Sequence, residues 1–374
     1  MHVTKALEGV TGVFHVDVPD WSSGEASLSA EPDVTEDELI HAVERAGYRA
    51  SVRRPVETRS DVESAREAPV VDGQDAEYDL VVIGTGAAGM AAAIRATELG
   101  RRAAIIEAGV LGGTCVNTGC VPSKTLIRAA DLYHRAGHHP FAGLQTRTAG
   151  VDWQMLIEQK DQLIADMRRD KYADVLASYG DAIALIRGRA RLGTDGQVVV
   201  DDGRAITANR VVVATGARSR ILRLDGIENV DVLTSTSAMA LAEQPRSLIV
   251  IGGGAVGLEL GQLFARLGTE VTVLEYMPQI VPGQEPEIAA ALADYLDQEG
   301  LAIHTGVRPR AIRREADKKV LVADIDGHAH EFRAEQVLVA VGRAPRTAEL
   351  GLVGAGVELD DGGFIQVNAQ LQTS

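Results

Sequence analysis

Residues 80–107 read LVVIGTGAAGMAAAIRATELGRRAAIIE, and residues 248–275 read LIVIGGGAVGLELGQLFARLGTEVTVLE. In both stretches an apolar strand runs into a glycine-rich turn, then a helix, then a second strand. Corresponding glycines and acids are offset by the same 168 positions, which indicates an internal repeat. A strand–helix–strand order used twice predicts an α/β protein with two halves, each built on a parallel sheet.

Each copy carries the spacing G-x-G-x-x-G at its turn and a glutamate 23 residues after the first glycine. The first glycine permits the tight turn, the second lets a pyrophosphate approach the backbone, and the third lets helix and strand pack closely. The phosphates then lie at the positive amino end of the helix, and the glutamate accepts hydrogen bonds from an adenosine ribose. We therefore predict two Rossmann-like dinucleotide-binding domains. The residues concerned are Gly84, Gly86, Gly89 and Glu107 in the first copy, and Gly252, Gly254, Gly257 and Glu275 in the second.

The second glutamate also bears on the choice of nicotinamide coenzyme. A carboxylate at Glu275 repels a 2′-phosphate, and the sequence has no arginine directly after it. On physical grounds the second site is therefore predicted to favour NADH over NADPH.

The overall charge argues against polyanionic partners. The chain has 53 acidic and 37 basic side chains, a net charge of −16, so a nucleic acid or an anionic membrane would be repelled. The amino-terminal residues have no apolar signal core, and no stretch reaches the apolar length that a bilayer requires. We expect a cytoplasmic location without nucleic-acid or membrane partners.

The segment GGTCVNTGCVPSK at residues 112–124 contains both cysteines of the chain, Cys115 and Cys120. In an ideal α-helix, residues five apart lie about 7.5 Å apart along the axis and about 140° apart around it. A disulfide needs a Cα separation of roughly 4.4–6.8 Å. If the two sulfurs meet, the segment must be distorted, and its three glycines allow that.

The same segment predicts reactive sulfur. Pro122 suits the first turn of a helix that continues through SKTLIRAADLYHRA. A helix amino end lowers a thiol pKa, and Lys124 adds positive charge nearby, so both features favour thiolate. In a reducing compartment such a close pair is more often catalytic or metal-binding than structural.

Two fingerprints with GGTCVNTGCVPSK between them resemble the flavoprotein disulfide reductases, a class I pyridine nucleotide-disulfide oxidoreductase family of the glutathione-reductase type, over residues 77–374. The resemblance implies FAD at the first site and NAD(P)H at the second, with Cys120 next to the flavin and Cys115 facing the substrate. It also implies an ion pair between Lys124 and Glu259 near the reactive flavin ring. The other implied cofactor contacts are Gly113, Thr114, Lys124 itself, Thr215, Gly216 and Gly342.

Within that family, three features are similar to mercuric reductases. They are the amino-terminal fragment, the segment SKTLIRAA after the cysteines, and Tyr172 in RRDKYADVL. The resemblance implies that electrons pass from NAD(P)H through FAD and the cysteine pair to Hg(II), delivered as a thiol complex, with NADPH as the coenzyme. Hg(II) is soft and prefers thiolate ligands, which fits the pair Cys115 and Cys120. Tyr172 lies on an amphipathic helical stretch, residues 153–178, where an aromatic residue also fits a core position.

Residues 1–52 resemble a partial heavy-metal-associated domain of the ferredoxin-like α+β type, without the cysteine pair that binds metal in that family. Strands are predicted at 12–18 and 25–30, a capping box at Thr35 opens a helix that Gly47 ends, and a last strand is predicted from Tyr48 to Val52. Residues 53–76 are predicted to be a linker.

The resemblance divides the rest of the chain into an FAD-binding domain at 77–225, an NAD(P)-binding domain at 226–344, and the start of a return to the FAD-binding domain at 345–374. The family continues with a dimerisation domain and a second cysteine pair, so the full-length form is expected to be a homodimer. The 374-residue chain alone is expected to bind FAD weakly and to turn over slowly or not at all.

Two alternatives remain open at this stage. A dihydrolipoamide dehydrogenase shares both fingerprints and the cysteine spacing, and its NADH preference suits Glu275. A non-catalytic soft-metal-binding or sensor protein would also use the cysteine pair, but it leaves the duplicated dinucleotide site unexplained.

Overall fold

The computed structural model describes residues 6–7, 9–10, 12–17, 27–30, 34–45 and 76–374. By its internal contacts the chain divides into two units, Met1–Val70 and Val71–Ser374. In the first unit, β1 (Val13–Asp17) pairs antiparallel with β2 (Ser27–Ala30), and α1 (Glu36–Arg45) follows.

A capping box begins α1, as predicted. Thr35 Oγ1 accepts the Glu38 N–H at 3.3 Å, and Glu38 Oε2 accepts the Thr35 N–H at 2.9 Å. Gly47, the strand predicted at Tyr48–Val52 and nearly all of the predicted linker lie outside the described residues. The heavy-metal-associated fold of this region therefore stays a prediction.

In the second unit the first half is an α/β layer, as the glycine-rich pattern predicted. Its elements are β3 (Tyr78–Ile83), α2 (Ala87–Glu98), β4 (Ala103–Glu107), α3 (Gly113–Thr118), α4 (Cys120–Gly137), α5 (Trp153–Arg168), α6 (Asp174–Ser178), β5 (Ile183–Arg187), β6 (Ala190–Leu192), β7 (Val198–Val200), β8 (Ala205–Ile206), β9 (Ala208–Val213) and β10 (Ala217–Ser219). Strands β5, β4, β3 and β9 form, in that order, a parallel sheet, and β6 to β8 form a small antiparallel sheet. The central strand β3 is apolar because helices and the small sheet cover the parallel sheet.

The second half repeats this arrangement. Its elements are α7 (Ser235–Ala238), β11 (Ser247–Ile251), α8 (Ala255–Arg266), β12 (Glu270–Leu274), α9 (Pro286–Gln298), β13 (Leu301–His304), β14 (Arg308–Glu315), β15 (Lys318–Ile325), β16 (His328–Ala334), β17 (Gln336–Val339) and β18 (Arg343–Pro345). The parallel sheet has the order β13, β12, β11, β17, and β14 to β16 form an antiparallel meander. In both halves the first strand lies between the second strand and the last one, which places a topological switch point at the glycine-rich turn.

The two halves pack against each other through α4, α5 and α8. The rings of Trp153 and Phe264 lie 5.5 Å apart in one continuous buried cluster, and the Trp153 indole N–H donates to the Leu241 carbonyl at 2.8 Å. Strands β10 and β18 also pair with each other, joining the segments that follow the two parallel sheets.

The last residues return to the first half. Leu350, Leu352 and Val357 are buried in the same core as the first parallel sheet, and the Leu192 N–H donates to the Leu350 carbonyl at 2.7 Å. Among the described residues, no helix combines the length and apolar character that crossing a bilayer requires.

Candidate active site

In the first glycine-rich turn two of the three glycines have no space for a side chain, and the middle one has space beside it. Gly84 has a φ of +108°, and a Cβ there would lie 2.4 Å from the Ala214 carbonyl oxygen. A Cβ at Gly89 would lie 2.0 Å from the Gly84 carbonyl oxygen. At Gly86 the nearest atom would be 3.9 Å away, so this residue leaves the amino end of α2 open to a ligand.

In the second turn, too, the outer two glycines have no space for a side chain and the middle one does. Gly252 has a φ of +110°, and a Cβ there would lie 2.6 Å from the Ala340 carbonyl oxygen. A Cβ at Gly257 would lie 2.0 Å from the Gly252 carbonyl oxygen, whereas one at Gly254 would meet no atom within 4 Å. Both turns therefore hold strand and helix close together while keeping the middle glycine accessible, which fits a pyrophosphate at each helix amino end.

The glutamates at the ends of β4 and β12 are held by backbone N–H groups. Glu107 accepts from Thr85 N at 3.1 Å and from Gly109 N at 2.8 Å. Glu275, only 7% exposed, accepts from Gly253 N at 2.6 Å and from Met277 N at 2.7 Å. Glu107 Oε2 accepts from both the N–H and the hydroxyl of Thr85, whereas Glu107 Oε1 and both Glu275 oxygens each keep a second lone pair that can accept from a ribose hydroxyl.

Thr85 is a functional candidate that the sequence analysis missed. It is 1% exposed; its hydroxyl donates to Glu107 Oε2 and accepts the Gly112 N–H at 3.1 Å. This chain of hydrogen bonds connects the first acid to the start of the cysteine segment. The corresponding residue of the second copy, Gly253, has no side chain, and its N–H donates to Glu275 directly.

The cysteine segment is distorted in the way its spacing required. Helix α3 ends at Thr118, α4 begins at Cys120, and Gly119 between them has φ −123° and ψ −110°. Both cysteines are exposed free thiols, and Cys120 is near enough to Cys115 to act on its pKa. The segment also lies against the first turn, because a Cβ at Gly113 would be 2.5 Å from Gly86 Cα. The sulfur pair is thus adjacent to the first predicted dinucleotide site.

The thiolate prediction is wrong for Cys115. Its pKa is raised, mainly by hydrogen bonding to Cys120 and further because neighbouring atoms remove part of the water around the thiol. Lys124 does not offset this, since its ammonium is paired with Glu259. The helix end and the lysine are evident from the sequence, whereas the partners of Cys115 and Lys124 are set by the folded structure.

The predicted pair Lys124 and Glu259 is present. Lys124 Nζ lies 2.5 Å from Glu259 Oε2, with the two side chains 58% and 44% exposed. Lys124 lies one turn after Cys120 on α4, and Glu259 lies in α8 of the other half. The pair therefore connects the cysteine helix to the second nucleotide-binding half.

Tyr172 lies next to Cys115. The stretch predicted as one long helix contains a π-helical turn at Arg169–Ala173, and such turns are frequent at functional sites. A Cβ at Gly112 would lie 3.3 Å from Tyr172 Cδ2. Burial raises the Tyr172 pKa, and the nearby Cys115 raises it further, so the phenol stays protonated at neutral pH. The side chain also packs in the core beside α2, so the core and site interpretations are compatible.

A second set of contacts that the sequence did not reveal braces α3. Arg168 Nε donates to Asn117 Oδ1 at 2.9 Å, and Asn117 Nδ2 donates to the carbonyls of Leu111 and Gly113 at 2.9 and 2.8 Å. Asn117 is therefore held from α5 while it closes the turn that carries Cys115. The asparagine between the two cysteines could have predicted these contacts, because a side-chain amide can donate two hydrogen bonds to nearby carbonyls.

The remaining predicted residues lie at the strand ends beside the glycine turns. Thr215 Oγ1 donates to the Arg346 carbonyl at 2.9 Å, and the Gly216 carbonyl accepts the Arg346 N–H at 3.0 Å. Gly342 has a φ of +104°, and its carbonyl accepts the Arg220 N–H at 3.0 Å. Thr114 precedes Cys115 in α3. Contact of these residues with a cofactor stays a prediction.

The family is established by comparison with known proteins. The model of the pyridine nucleotide-disulphide oxidoreductases matches residues 78–374, which is most of the chain and includes both glycine-rich turns and the cysteine pair. This chain belongs to that oxidoreductase family. The fold prediction for the second unit is thereby confirmed.

Among curated oxidoreductases of this family, the chain is 39% identical to mercuric reductase from Staphylococcus aureus over 373 residues, covering 100% of this chain and 66% of that protein. It is 41% identical to dihydrolipoyl dehydrogenase from Thermus scotoductus over 301 residues, covering 79% of this chain and 64% of that protein. The chain thus spans less than two thirds of the length of both relatives.

A solved oxidoreductase agrees with the fold. The HOCl-induced flavoprotein disulfide reductase of Escherichia coli, determined as a Cu(II) complex, superimposes with a TM-score of 0.71 at 28% identity. The match covers 79% of this chain and 64% of that chain.

Proposed function

We propose that this chain is the nucleotide-binding and redox part of a mercuric reductase, which transfers two electrons from NAD(P)H to Hg(II) and releases Hg(0). The observation that carries the proposal is the pair of exposed thiols, Cys115 and Cys120, on a segment that lies against the first glycine-rich turn. In balanced form, NAD(P)H and Hg(II) give NAD(P)⁺, Hg(0) and one proton.

Each glycine-rich turn would bind a different cofactor. The open face at Gly86 and the tethered Glu107 would hold the pyrophosphate and ribose of FAD, beside the cysteine segment. Gly254 and Glu275 would hold the corresponding groups of NAD(P)H. Bound at the first site, FAD supplies the two-electron relay between nicotinamide and sulfur.

The sulfur pair suits a soft, two-coordinate ion. Hg(II) prefers thiolates to nitrogen or oxygen ligands, and both sulfurs are accessible. When Hg(II) arrives bound to two external thiols, each cysteine forms a sulfur–mercury bond and one external thiolate leaves. The leaving thiolate takes up the cysteine proton, so the raised pKa of Cys115 does not prevent the exchange.

Tyr172 is proposed to position the ion. Its hydroxyl stays protonated beside Cys115, and a neutral phenol oxygen can contact a bound cation without adding charge. The π-helical turn directs this side chain towards the cysteine segment.

Dihydrolipoyl dehydrogenase activity is the second candidate, because the Thermus relative matches the oxidoreductase part of the chain as well as the mercuric reductases do. What favours mercury is the amino-terminal unit. The alignments with mercuric reductases from Staphylococcus aureus and Bacillus cereus extend over 100% of this chain, whereas the dihydrolipoyl dehydrogenase alignment covers 79%.

The test compares two acceptors on one preparation. The full-length protein is loaded with FAD, and NAD(P)H oxidation is followed with Hg(II) in excess thiol or with oxidised lipoamide. We expect Hg(II) to accelerate oxidation and to yield volatile Hg(0), and Cys115→Ala and Cys120→Ala to abolish this. Acceleration by lipoamide alone would transfer the assignment to the second candidate.

A matched aromatic pair tests the role of Tyr172. Tyr172→Phe is expected to slow the Hg(II) reaction roughly tenfold, the size of one lost polar contact in a site. Tyr179→Phe, which alters a tyrosine in the same core cluster, should leave the rate unchanged. Equal rates for both variants would show that the Tyr172 hydroxyl does not contact the ion.

For the full-length protein we propose a homodimer in the cytoplasm. The compartment follows from the chemistry, because NAD(P)H and the thiol buffers that keep the pair reduced belong there. Light scattering on the full-length protein would test the dimer. With a net charge of −16, this chain is not expected to bind nucleic acid.

A further inference from the structure

The segment that leads into β14 is fixed beside the end of β12 by backbone hydrogen bonds. Glu275 N donates to His304 O at 2.8 Å, Val307 N donates to Glu275 O at 2.9 Å, and Gly306 N donates to Met277 O at 3.0 Å. These bonds hold the first residue of β14, Arg308, next to Tyr276. The relationship is invisible in the sequence, where Arg308 lies 33 residues after Glu275.

Arg308 has no counter-ion among the residues that the structure describes. Its guanidinium carbon lies 5.6 Å from the centre of the Tyr276 ring, which is 59% exposed. Across residues 76–374 no carboxylate lies within ion-pair distance of Arg308, whereas Arg310 on the same strand pairs with Asp324. Within residues 76–374 no acceptor takes a hydrogen bond from the Arg308 guanidinium, so its N–H donors can bind phosphate oxygens in pairs.

The acid and the cation would act on the same part of a bound coenzyme. In dinucleotide-binding folds of this type the acid at the end of the second strand binds the ribose 2′-hydroxyl, and here Tyr276 directly follows that acid along the chain. A 2′-phosphate placed there would be repelled by Glu275, which is buried and held by two N–H groups. Arg308 would attract the same phosphate from the solvent side of the site.

The first half offers a contrast. At the corresponding sheet edge, Arg187 ends β5 and its guanidinium donates to the Gly109 carbonyl at 3.2 Å. That arginine is committed to the backbone, and FAD, the cofactor proposed there, carries no 2′-phosphate. Within residues 76–374, the second half has an arginine without an ion-pair or hydrogen-bond partner near its ribose acid, whereas Arg187 of the first half is hydrogen-bonded.

We propose that Arg308, positioned by Tyr276, is the specificity-determining residue that lets the second site bind NADPH as well as NADH in spite of Glu275. This inference rests on the proposed NAD(P)H site at Gly252, Gly254 and Gly257. It removes the preference for NADH that Glu275 alone predicted.

The test is equilibrium binding of NADH and NADPH to the whole chain, by calorimetry or nicotinamide fluorescence, without turnover. Wild type should bind both coenzymes within about tenfold of each other, and Arg308→Gln should weaken NADPH about tenfold or more while NADH changes less than about twofold. Added salt should weaken NADPH more than NADH in wild type and equally in the variant.

Two further variants sharpen the comparison. Arg314→Gln removes the same charge from the same strand, about 20 Å further along, and should change neither affinity. Tyr276→Leu removes the stacking platform and should weaken NADPH selectively, by less than Arg308→Gln does.

Two results would contradict the proposed role of Arg308 and still be consistent with the proposed NAD(P)H site. One is wild type that binds NADH but not NADPH, in which case Glu275 alone sets the preference. The other is Arg308→Gln weakening both coenzymes equally. Failure of wild type to bind either coenzyme would contradict the inference together with the proposed NAD(P)H site.

Discussion

Lys124 Nζ lies 2.5 Å from Glu259 Oε2, and this contact joins the helix that begins at Cys120 to the first helix of the second glycine-rich repeat. The lysine is one turn from the sulfur, and the glutamate is two residues after Gly257. This ion pair links the proposed redox centre to the proposed coenzyme half, and Asp131 and Arg266 form a second ion pair, at 3.3 Å, between the same two helices.

Glu259→Gln tests that link. Because both side chains are more than 40% exposed, the free energy of unfolding should change by no more than about 1 kcal/mol. Loss of the negative charge leaves the ammonium unopposed, which stabilises the anionic reduced flavin. We expect the midpoint potential of FAD-loaded protein to rise by about 10–30 mV. Glu98→Gln, which breaks the exposed pair with Arg95, is the control, and an equal potential in both variants would place Lys124 away from the flavin.

Cys120→Ala should make Cys115 more reactive at neutral pH. The hydrogen bond to Cys120 is the main reason that the Cys115 pKa is raised, so its removal should lower that pKa. Alkylation of Cys115, followed by mass spectrometry across a pH series, should show its midpoint moving to lower pH. A midpoint that stays in place or moves upward would show that the two sulfurs are not in contact.

The same pKa shift predicts the sign of a stability change. Folding raises the Cys115 pKa, so the protonated thiol is favoured in the native state. This contribution is fully present below the unfolded-state pKa and is lost as the pH rises through the folded-state pKa. Urea unfolding at alkaline pH should therefore show a steeper loss of stability for wild type than for Cys115→Ala.

Alanine substitutions in the second glycine turn should separate folding from binding. Gly257→Ala places a Cβ 2.0 Å from the Gly252 carbonyl oxygen and should cost about 1–3 kcal/mol of unfolding free energy. Gly254→Ala has free space and a φ of −81°, so its stability should stay within about 0.5 kcal/mol of wild type. Its NADH affinity should nevertheless fall about tenfold, because the methyl group blocks the pyrophosphate. Unchanged NADH binding in Gly254→Ala would argue against the coenzyme site.

Thr85→Val should destabilise the first site. It leaves a buried Gly112 N–H without its acceptor and removes a donor to Glu107, at a cost of about 1–3 kcal/mol in unfolding free energy. Thr85→Ser keeps the hydroxyl and should recover most of that loss. Thr97→Val is the control, since its hydroxyl donates only to a helix carbonyl, Ala93 O. If the valine and serine variants at position 85 are equally stable, the hydrogen-bond chain contributes nothing.

The sequence predicts what depends on spacing and misses what depends on partners. The repeated pattern predicts two glycine-rich turns, the helix that follows each turn and the glutamate at the end of each second strand. The structure contains all of them. Thr85 was missed because a hydroxyl between two glycines has no periodic signature, and Arg308 because β14 is remote from Glu275 in the chain. The prediction of a thiolate at Cys115 was wrong for the same reason, since the pKa of Cys115 depends on its contact with Cys120 in the folded chain.

The most direct measurement of the central claim follows the sulfurs themselves. The chain is oxidised mildly, loaded with FAD, treated anaerobically with one equivalent of NAD(P)H, and mapped by mass spectrometry before and after. We predict an intramolecular Cys115–Cys120 disulfide before the addition and two free thiols after it, with no opening when FAD is omitted. A disulfide that never forms, or that stays closed with FAD and NAD(P)H present, would contradict the assignment of this pair as the redox centre.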